Sequence, residues 1–538
     1  MNKYAIRRST LALTIGSALA TGATHAATIT VDTAQDGAVG SVAGCSLREA
    51  IASANNGNSQ GGCAAGSPGA DTIEFDPSLA ESTITLNAGE LAVTDSLAIN
   101  GPVAGDADGL IIDGDNLFRI FDAAGPLEEE PIDFTLDSMT LTRARVTGQG
   151  ARGGAVFSLY ANVNLQSVSL INNSASADAV GPLSNERGGT ANALAGGAGV
   201  FLSLGDLSLT DCLIIGNSVN SGASGDDALS RAIGAAVVVE YGELFITGSQ
   251  FSDNHATATV EGPQGRSVSA GPIVAFGSNV TVTNSLIDDN HSQSSATLST
   301  DTGSSVAGGL YIGNSDLLMT QTTISSNRLV SPDLGVGGAL VVFRSDADVR
   351  NSTLSGNLVE NGTGSAGGAA YVRGFEDTNG TDHVPASLTL LHSTLAFNSA
   401  TNGADGIDAV NNAQTYFHLT NSLIAQNKAA DIACSRDATS HSLSLVSDVS
   451  CTGTATTTAD LKLTGLSNFG GFTPTHGLLP NSVAIDAAGD CSADHAVTND
   501  QRGQLRPGIG SANCDVGALE VQENDNFDSI FQDRFEQN

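Results

Sequence analysis

Two segments, "SQFSDNH" (residues 249–255) and "SLIDDNH" (residues 285–291), decide the fold because they repeat one short pattern. In both, an apolar residue stands three positions before an asparagine. The pattern recurs through the middle of the chain at intervals of 29 to 44 residues. The repeated asparagines are Asn173, Asn217, Asn254, Asn290, Asn327, Asn357, Asn398 and Asn427. A pattern that returns at such a period indicates a repeat protein in which each unit is one turn of a solenoid.

Within each unit the residue pattern is that of short β-strands. A glycine-rich start leads into an apolar run, as in "GAGVFLSL" (197–204), and apolar and polar residues alternate in segments such as "VNLQSVSL" (163–170). Alternation with a period of two means that one face of a strand is buried. Two or three short strands cannot bury that face alone, so units must stack on their neighbours. The sequence therefore predicts an all-β parallel β-helix over residues 71–430, with coils about 4.8 Å apart.

The repeated asparagines have a structural explanation. Asparagine tolerates the left-handed backbone that a sharp corner needs, and its amide can bond to the same residue in the coils above and below. We therefore assign these residues no chemistry. The longer insertions leave just after the asparagines, so we expect loops along one edge, which in solenoids is often the binding face.

The stretch "GCSLREAIASANN" (44–56) is typical of a helix. Ser46 followed by Glu49 forms a capping box, and the apolar residues behind them lie at helical spacing. We predict a helix over residues 46–56 that closes the first coil as a lid, with "DTIEF" (71–75) as the first strand. Arg48 lies off the apolar stripe, so we expect it to be solvated.

The chain has seven cysteines. Six lie in close sequential pairs, which in an exported protein suggests disulfides. The disulfide candidates are Cys45, Cys63, Cys434, Cys451, Cys491 and Cys514, and the sequence leaves their connectivity open. We expect Cys45 and Cys63 to tie down the helix. Cys212 lies in a strand pattern and is expected to be a buried, small apolar residue.

Residues 1–26 have the composition of a secretory signal peptide. A basic start is followed by an apolar run over residues 11–20 and by small residues at a cleavage site. That run is too short to cross a membrane, and no later stretch of about 18 apolar residues follows, so we expect no transmembrane helix. The sequence thus predicts an exported protein, either secreted or held at the outer cell surface.

The charge of the chain limits its partners. It has 21 basic and 57 acidic residues, a net charge of −36. The signal peptide contains three of the basic residues and no acidic one, so its removal leaves 18 and 57, or −39. Lys428 and Lys462 are the only lysines that remain. This excludes nucleic acid as a partner and disfavours a polyanion unless calcium bridges the like charges.

The two ends resemble known families. "CSLREAI" with "DTIEF", "LAVTDSLAINGP" (91–102) and "LIIDGDNLFRIF" (110–121) resembles the N-terminal region of bacterial CSLREA-domain proteins. "NSVAIDAAGDC" (481–491), "NDQRGQLRPG" (499–508) and "CDVGALE" (514–520) resemble the choice-of-anchor Q region. Residues at its typical positions are Asp486, Asp500, Gln501, Arg502, Gly503, Arg506, Cys514, Asp515, Gly517 and Glu520. The final "DSIFQDRFEQN" is similar to tails of exported Gram-negative proteins, with Arg534 where glycine is usual.

These resemblances imply location and shape. CSLREA-domain proteins are exported, right-handed parallel β-helices of the pectin-lyase-like class, most of them without an established activity. The implied organisation is an N-terminal cap over residues 27–70, coils over 71–430, a C-terminal cap over 431–520 and an acidic tail over 521–538. Within the C-terminal cap we expect a structural ion-pair network formed by Asp500, Arg502, Arg506 and Asp515.

The sequence offers one weak candidate for a chemical site. Asp253, His255, Asp289 and His291 take equivalent positions on consecutive coils, so stacking would bring like residues within roughly 5 Å. They could bind a metal or form a carboxylate pair of raised pKa. The alternative interpretation is that they flank a corner and face solvent. The sequence has no polygalacturonase-like or pectate-lyase-like arrangement of acidic and basic residues.

We therefore favour a non-enzymatic, monomeric protein that acts in adhesion or in binding a carbohydrate or matrix polymer. The alternative is a polysaccharide lyase or glycoside hydrolase on the same fold. We expect no cofactor, with calcium as the alternative. The chain has only 24 aromatic residues and no tryptophan, which weakens the case for sugar stacking.

Overall fold

The computed structural model describes most of the chain after residue 25. The described residues are 26–102, 109–127, 130–181, 191–297, 302–360, 362–376, 383–425, 427, 432–448, 450–491, 497–508, 510–525 and 527. Residues 1–25 of the proposed signal peptide, Lys428 and the tail from residue 528 onward lie outside these ranges.

The chain winds as a right-handed parallel β-helix, as the sequence and its resemblances predict. In one coil it runs through Val200–Ser203, Leu207–Thr210 and Leu213–Ile215, turns at an asparagine, and continues through Ser218–Ser224 and Leu229–Ile233. The following coil repeats this path, and its strands pair with these in parallel and in register.

Strands of successive coils stack into four parallel sheets, named here by the number of strands that the described residues contribute. The ten-stranded sheet contains Leu91–Val93, Phe121–Ala124, Val156–Leu159, Val200–Ser203, Val237–Glu240, Ile273–Phe276, Leu310–Gly313, Leu340–Phe343, Ala370–Arg373 and Ile407–Ala409. The 24-stranded sheet contains Thr28–Val31, Asp71–Phe75, Thr83–Thr85, Leu97–Asn100, Leu110–Asp113, Ile132–Thr142, Ala161–Ile171, Leu207–Thr210, Leu213–Ile215, Glu243–Thr247, Gln250–Ser252, Asn279–Thr283, Leu286–Asp288, Asp316–Thr320, Thr323–Ser325, Asp346–Arg350, Thr353–Ser355, Ala386–Leu391, Thr394–Ala396, Thr415–Thr420, Leu423–Ala425, Ser440–Ser442, Leu445–Val446 and Thr454–Ala455.

The other two sheets are smaller. The eight-stranded sheet contains Arg145–Thr147, Ser174–Val180, Ser218–Ser224, His255–Glu261, His291–Ala296, Arg328–Val330, Leu358–Glu360 and Ser399–Ala400. The six-stranded sheet contains Ala151–Arg152, Asn192–Gly196, Leu229–Ile233, Arg266–Ala270, Thr302–Val306 and Leu334–Val336. Antiparallel pairs join Phe375–Glu376 to His383–Val384 and Leu463–Ser467 to Thr475–Leu478. The described helices are Leu47–Asn56, Thr458–Leu461 and the 3₁₀ turn Pro77–Leu79.

The main core lies between the ten-stranded and the 24-stranded sheets. Coils in register place equivalent residues side by side. One inward column is Val156, Val200, Val237, Ile273 and Leu310, all of them fully buried. Every coil therefore buries its apolar face against its neighbours, which is why a single coil would not be stable.

The insertions after the asparagines fold as strands, not as the loops that the sequence predicts. They form the eight- and six-stranded sheets, which share a second core rich in alanine. Ala177, Ala193, Ala232 and Ala258 are fully buried there. Alternating small residues resemble loop composition, yet they let two sheets pack closely. The insertions do lie along one edge, where the eight- and six-stranded sheets pack face to face as two layers.

The eight repeated asparagines form a continuous buried ladder. From Asn217 to Asn427, each side-chain oxygen accepts bonds from the backbone N–H and the side-chain N–H of the preceding asparagine, at 2.8 to 3.2 Å. For the seven asparagines from Asn173 to Asn398, the left-handed corner lies one residue before the asparagine rather than at it. Residues with φ between 51° and 68° at this corner are Asn172, Gly216, Asp253, Asp289, Ser326, Gly356 and Phe397.

A ladder of hydroxyls runs alongside the asparagines. Its members are Ser249, Ser285, Thr322, Ser352, Ser393, Ser422 and Ser444, and each hydroxyl accepts a bond from the equivalent backbone N–H one coil earlier, at 3.0 to 3.4 Å. Cys212 occupies the equivalent position one coil before Ser249. It is buried, as predicted, and burial raises the pKa of its thiol to about 12.

The N-terminal lid has the predicted capping box. Helix Leu47–Asn56 begins after Ser46, whose hydroxyl accepts from the Glu49 backbone N–H, and it ends at Gly57 in the left-handed conformation. The prediction that "DTIEF" is the first strand was wrong, because Thr28–Val31 pairs with it from the N-terminal side.

The prediction that Arg48 is solvated was also wrong. Its guanidinium pairs with Asp36 at 2.8 Å and donates to the carbonyls of Gly89 and Glu90 at 2.6 and 2.7 Å. These partners come from segments on both sides of the helix in sequence, so helical periodicity could not reveal them. Arg48 fastens the lid to the first coils.

The C-terminal region both extends the coils and doubles back along them. Ser440–Ser442 and Leu445–Val446 stack as further rungs, and the chain then returns along the outside of the 24-stranded sheet. Thr353 Oγ1 donates to Gln501 Oε1 at 2.6 Å, and the Gly517 N–H donates to the carbonyl of Asn421 at 2.9 Å. We call residues 497–525 the strap. The region predicted as one end cap therefore has two roles.

Disulfides join the three sequential pairs, Cys45 with Cys63, Cys434 with Cys451 and Cys491 with Cys514. Within the described ranges, no helix has the length and apolar character that crossing a membrane requires. The disulfides are consistent with an extracellular protein.

Candidate functional site

The ten-stranded sheet directs one row of side chains away from the main core. The row comprises Asp122, Phe157, Phe201, Val238, Val274, Tyr311, Val341, Tyr371 and Asp408. Its apolar members form small clusters with the ends of the six-stranded sheet, separate from the main core. This outer face is bordered by a groove on each side.

The first border is an apolar groove of about 360 Å³ between this row and the six-stranded sheet. Its walls include Val274, Val306, Leu334 and Val341, and the Arg373 side chain lies at one end. Burial raises the pKa of the Tyr311 and Tyr371 phenols, which also line it. We refer to it below as the apolar groove.

The second border is a polar groove of about 1080 Å³, where the chain turns from the ten-stranded to the 24-stranded sheet. Asp206, Glu243, Asn279 and Asp316 line it as a column, because they pair in register at the starts of successive strands. Tyr241 stands at its edge with 55% of its surface exposed. We refer to it below as the polar groove.

Much of the polar column has no hydrogen-bond partner among the residues that the structure describes. The carboxylate of Asp206 accepts a bond from the backbone N–H of Glu243 at 2.9 Å. The side chains of Glu243, Asn279 and Asp316 are exposed and make no hydrogen bond to another described residue. These groups are therefore available to a ligand.

Left-handed residues at the turn project side chains into the polar groove. Tyr241, Asn314 and Arg344 have φ of 60°, 50° and 53° at equivalent positions of their coils. Tyr241 packs edge-on against the Phe276 ring, with centroids 5.9 Å apart. The backbone of the coil, rather than a local motif, thus sets the direction of these side chains.

The acidic groups on the outer face and at the neighbouring edge of the 24-stranded sheet differ in environment. Asp346 follows Asp316 in register on the next coil. Burial, and then the charge of Asp316, raise the pKa of Asp346. Burial likewise raises the pKa of Asp122 and of Asp408. These last two lie eight coil steps apart, about 38 Å, so they cannot act as one carboxylate pair.

Arginines on this face stack on aromatic rings. Arg152 lies 4.8 Å from the Phe201 ring centroid. Arg344 lies between the rings of Phe343 and Phe375, at 4.9 and 4.0 Å. In a strongly acidic chain these cations give the outer face a local positive character.

The residues weighed as a metal site come together only in part. The His255 and His291 rings lie 5.7 Å apart, and His255 Nε2 lies 2.8 Å from Asp253 Oδ1. Asp253 and Asp289 hold the left-handed corner. Burial, with the nearby Arg328 and His255, lowers the pKa of His291. In the described ranges no group of three or more metal-binding side chains converges, so we build no function on these residues.

The ion-pair network expected in the C-terminal region is present only in part, because Arg502 pairs with Asp500 as predicted but Arg506 pairs with Glu520 instead of Asp500 or Asp515. Arg502 pairs with Asp500 at 2.9 Å and with Asp525 at 3.1 Å. Arg506 pairs with Glu520 at 2.9 Å. Its contact with Asp515 is a hydrogen bond that its guanidinium donates to the backbone carbonyl of that residue. All of these groups hold the strap in place.

Sequence reasoning missed both grooves. Tyr241 stands in "VEYGEL" and Arg344 in "VFRSDA", and no local pattern distinguishes them from other turn residues. An alignment of the repeats would have shown that the two residues are equivalent. Each stands at the end of an apolar run that begins after a glycine-rich corner. Four aromatic residues, Phe157, Phe201, Tyr311 and Tyr371, lie in the outward row.

Residues 191–386 match the family model described as "Right handed beta helix region". The matched part includes the coils that form both grooves. No curated protein matches the chain.

Proposed function

We propose that the protein is an exported β-helix protein that binds a neutral carbohydrate polymer in the polar groove without cleaving it. The observation that carries the proposal is the column Asp206, Glu243, Asn279 and Asp316 beside the exposed Tyr241. Carboxylates accept hydrogen bonds, and amides accept and donate them, which suits a ligand rich in hydroxyl groups. An exposed aromatic ring offers an apolar face to a sugar ring.

The repeat favours a polymer over a single sugar. Equivalent groups follow one another at about 4.8 Å along the axis of the β-helix, so a chain lying parallel to the axis meets similar groups in each coil. The acidic column would repel an anionic polymer. We therefore expect a neutral glycan and no nucleic acid.

Export and surface location are part of the proposal. The signal-like residues 1–26 and the three disulfides support it. The resemblance of the N-terminal region to CSLREA-domain proteins, and of the C-terminal region to choice-of-anchor Q, supports a secreted or outer-surface protein of a Gram-negative bacterium, acting as a monomer.

The test is a glycan array together with a panel of polysaccharide-cleavage assays. We expect binding to a neutral polysaccharide and no cleavage. Tyr241→Ala should weaken that binding at least about tenfold, because stacking on an aromatic ring is lost. Phe245→Ala is the matched control, since Phe245 is an exposed aromatic residue four positions away that does not line the groove. Absence of glycan binding would refute the proposal.

A glycoside hydrolase is the second candidate, and one observation favours it. Asp316 and Asp346 stand on neighbouring strands in register, about 4.8 Å apart along the backbone. Retaining glycosidases use two carboxyl groups about 5 to 5.5 Å apart, one of raised pKa. Burial and the charge of Asp316 raise the pKa of Asp346, which is the direction of shift found in a general acid.

This candidate has its own test. If a polysaccharide is cleaved, Asp346→Asn should abolish cleavage and leave polymer binding in place. Asp348→Asn serves as control, because Asp348 on the same strand pairs with Arg350. Cleavage that survives Asp346→Asn would exclude this pair as the catalytic residues.

A further inference from the structure

The apolar groove is long and narrow. Its lining runs from Ile233 in one coil to Arg373 four coils later, a length of about 19 Å at the usual strand spacing. Its volume of about 360 Å³ falls within the range of small-molecule sites, about 300–1,000 Å³. A groove of this length and volume is too thin for a globular ligand and matches one extended chain.

The lining is almost entirely hydrocarbon. Val274, Val306, Leu334 and Val341 form the walls with other aliphatic residues, and none of the described residues that line the groove is acidic. Its polar side chains are the phenols of Tyr311 and Tyr371 and the guanidinium of Arg373. An alkyl chain would therefore be well accommodated along the walls, where burial of apolar surface is favourable.

Positive charge lies at one end of the groove. Arg373 stands beside the Tyr371 phenol, and its presence lowers the pKa of that phenol against the effect of burial. Arg344 lines the polar groove instead, and its guanidinium stacks on Phe343, a residue of the apolar groove's lining. Neither arginine forms an ion pair with a described carboxylate. The nearest acid in register is Asp408, next to Tyr371, and burial raises its pKa.

We propose that the apolar groove binds a free long-chain carboxylate, with its alkyl chain along Val274 and Val341 and its carboxylate on Arg373. Charge complementarity at a single end fixes the direction of the chain. A guanidinium offers paired donors to a carboxylate, and the Tyr371 hydroxyl can donate a further bond. This site is separate from the polar groove and does not depend on the carbohydrate proposal.

The experiment is equilibrium dialysis of the mature protein against radiolabelled hexadecanoate, with hexadecan-1-ol as the neutral counterpart of the same chain. We expect saturable binding of one hexadecanoate per chain and binding of the alcohol at least about tenfold weaker, because the alcohol lacks the charge. Absence of saturable hexadecanoate binding, or equal affinity for the alcohol, would overturn the proposal. So would binding to phosphatidylcholine vesicles without binding of the free acid.

Three variants locate the site. Arg373→Gln should weaken hexadecanoate binding about tenfold and leave the weak binding of the alcohol unchanged. Leu334→Glu should remove binding of both; Leu334 is 37% exposed, so the change is compatible with folding, which circular dichroism would check. Arg152→Gln, a stacked arginine outside the groove, should change neither. Equal loss in Arg152→Gln and Arg373→Gln would contradict the assignment.

Discussion

Two of the left-handed corners in the coils serve different purposes. At the first corner, after residues such as Gly216 or Asp253, an asparagine points inward and bonds to its equivalents in the neighbouring coils. At the second, the corner residue itself points outward, and it is Tyr241 in one coil, Asn314 in another and Arg344 in a third. A side chain that must satisfy buried groups is the same in every coil. A side chain that faces solvent can differ and so can recognise a ligand.

A third left-handed corner lies between the two segments of the 24-stranded sheet, at Gln321, Asn351 and Asn421. The strap covers it. Gln321 Nε2 donates to the carbonyl of Asp500 at 3.0 Å, and Asn351 Nδ2 donates to that of Asn499 at 2.6 Å. Outward corner residues thus bond to the protein itself where the strap lies over them and remain available in the polar groove.

The largest expected effect comes from breaking the inner corner. The Asn290 side chain makes five hydrogen bonds within the ladder and to neighbouring carbonyls. At roughly 1 kcal/mol each, Asn290→Ala should lower the free energy of unfolding by about 5 kcal/mol, measured by urea denaturation.

Asn427→Ala is the matched control for that change. Asn427 is the last member of the ladder, and its side chain accepts bonds only from Asn398 among the described residues. We expect less than half the loss. If the two substitutions cost the same, the ladder does not stabilise the coils through neighbouring amides.

The next largest effect concerns the strap, which covers the third corner. Arg506 and Glu520 form a fully buried ion pair within the strap. Arg506→Met should cost about 3 kcal/mol, because it leaves a buried carboxylate without its partner. Hydrogen exchange should show the loss in the strap and not in the ladder. Uniform loss of protection along the coils would show that the strap and the coils unfold together.

The stability of the strap should depend on pH through the carboxyl group of Asp515. Burial and the charge of Glu520 raise the pKa of this carboxyl to about 7, against an ordinary value of 3.8. The folded protein therefore holds a proton there that the unfolded chain releases between these values, so its stabilising effect is present at low pH and is lost as the pH rises through 7.

Asp515→Asn removes that titration and keeps one of the two bonds that the carboxyl oxygens accept from the backbone N–H groups of Asp486 and Val521. Relative to the natural chain, the variant should gain roughly 5 °C in Tm as the pH is raised from 4 to 8. Differential scanning calorimetry across this range would measure it. A Tm difference that does not change with pH would refute the assignment.

The smallest effect on stability belongs to the groove corner. Tyr241→Ala should change the free energy of unfolding by no more than about 0.5 kcal/mol, because the side chain is mostly exposed and its corner is set by the backbone. Glycan binding should fall in the same variant. If Tyr241→Ala lowered the free energy of unfolding as much as Asn427→Ala does, Tyr241 would have a structural role, like the asparagines of the first corner.

Several elements could be read from the sequence because their signals are local. The capping box of Ser46 and Glu49 predicted the lid within one residue of its bounds. The spacing of apolar residues and asparagines predicted stacked coils. The position of the left-handed corner was misplaced by one residue, since both Asn173 and its neighbour Asn172 are acceptable in that conformation.

Other features depended on contacts between distant segments. Arg48 was taken as solvated because its partners Asp36 and Gly89 are far along the chain in opposite directions. The strap was taken as an end cap, because nothing near Gln501 indicates that it bonds to Thr353. The grooves were missed for the same reason.

The sequence by itself determined that this protein is a stack of β-coils with a helical lid, because strand alternation, capping and the repeated asparagine are local and recur in every unit. The tertiary structure alone decided which outward residues share a surface. Parallel stacking in register places Asp206, Glu243 and Asn279 next to one another although 36 or 37 residues separate them in sequence. Because the insertions differ in length, the spacing of these residues in the sequence varies and does not show that they are equivalent. Backbone pairing between coils sets the register that brings them together.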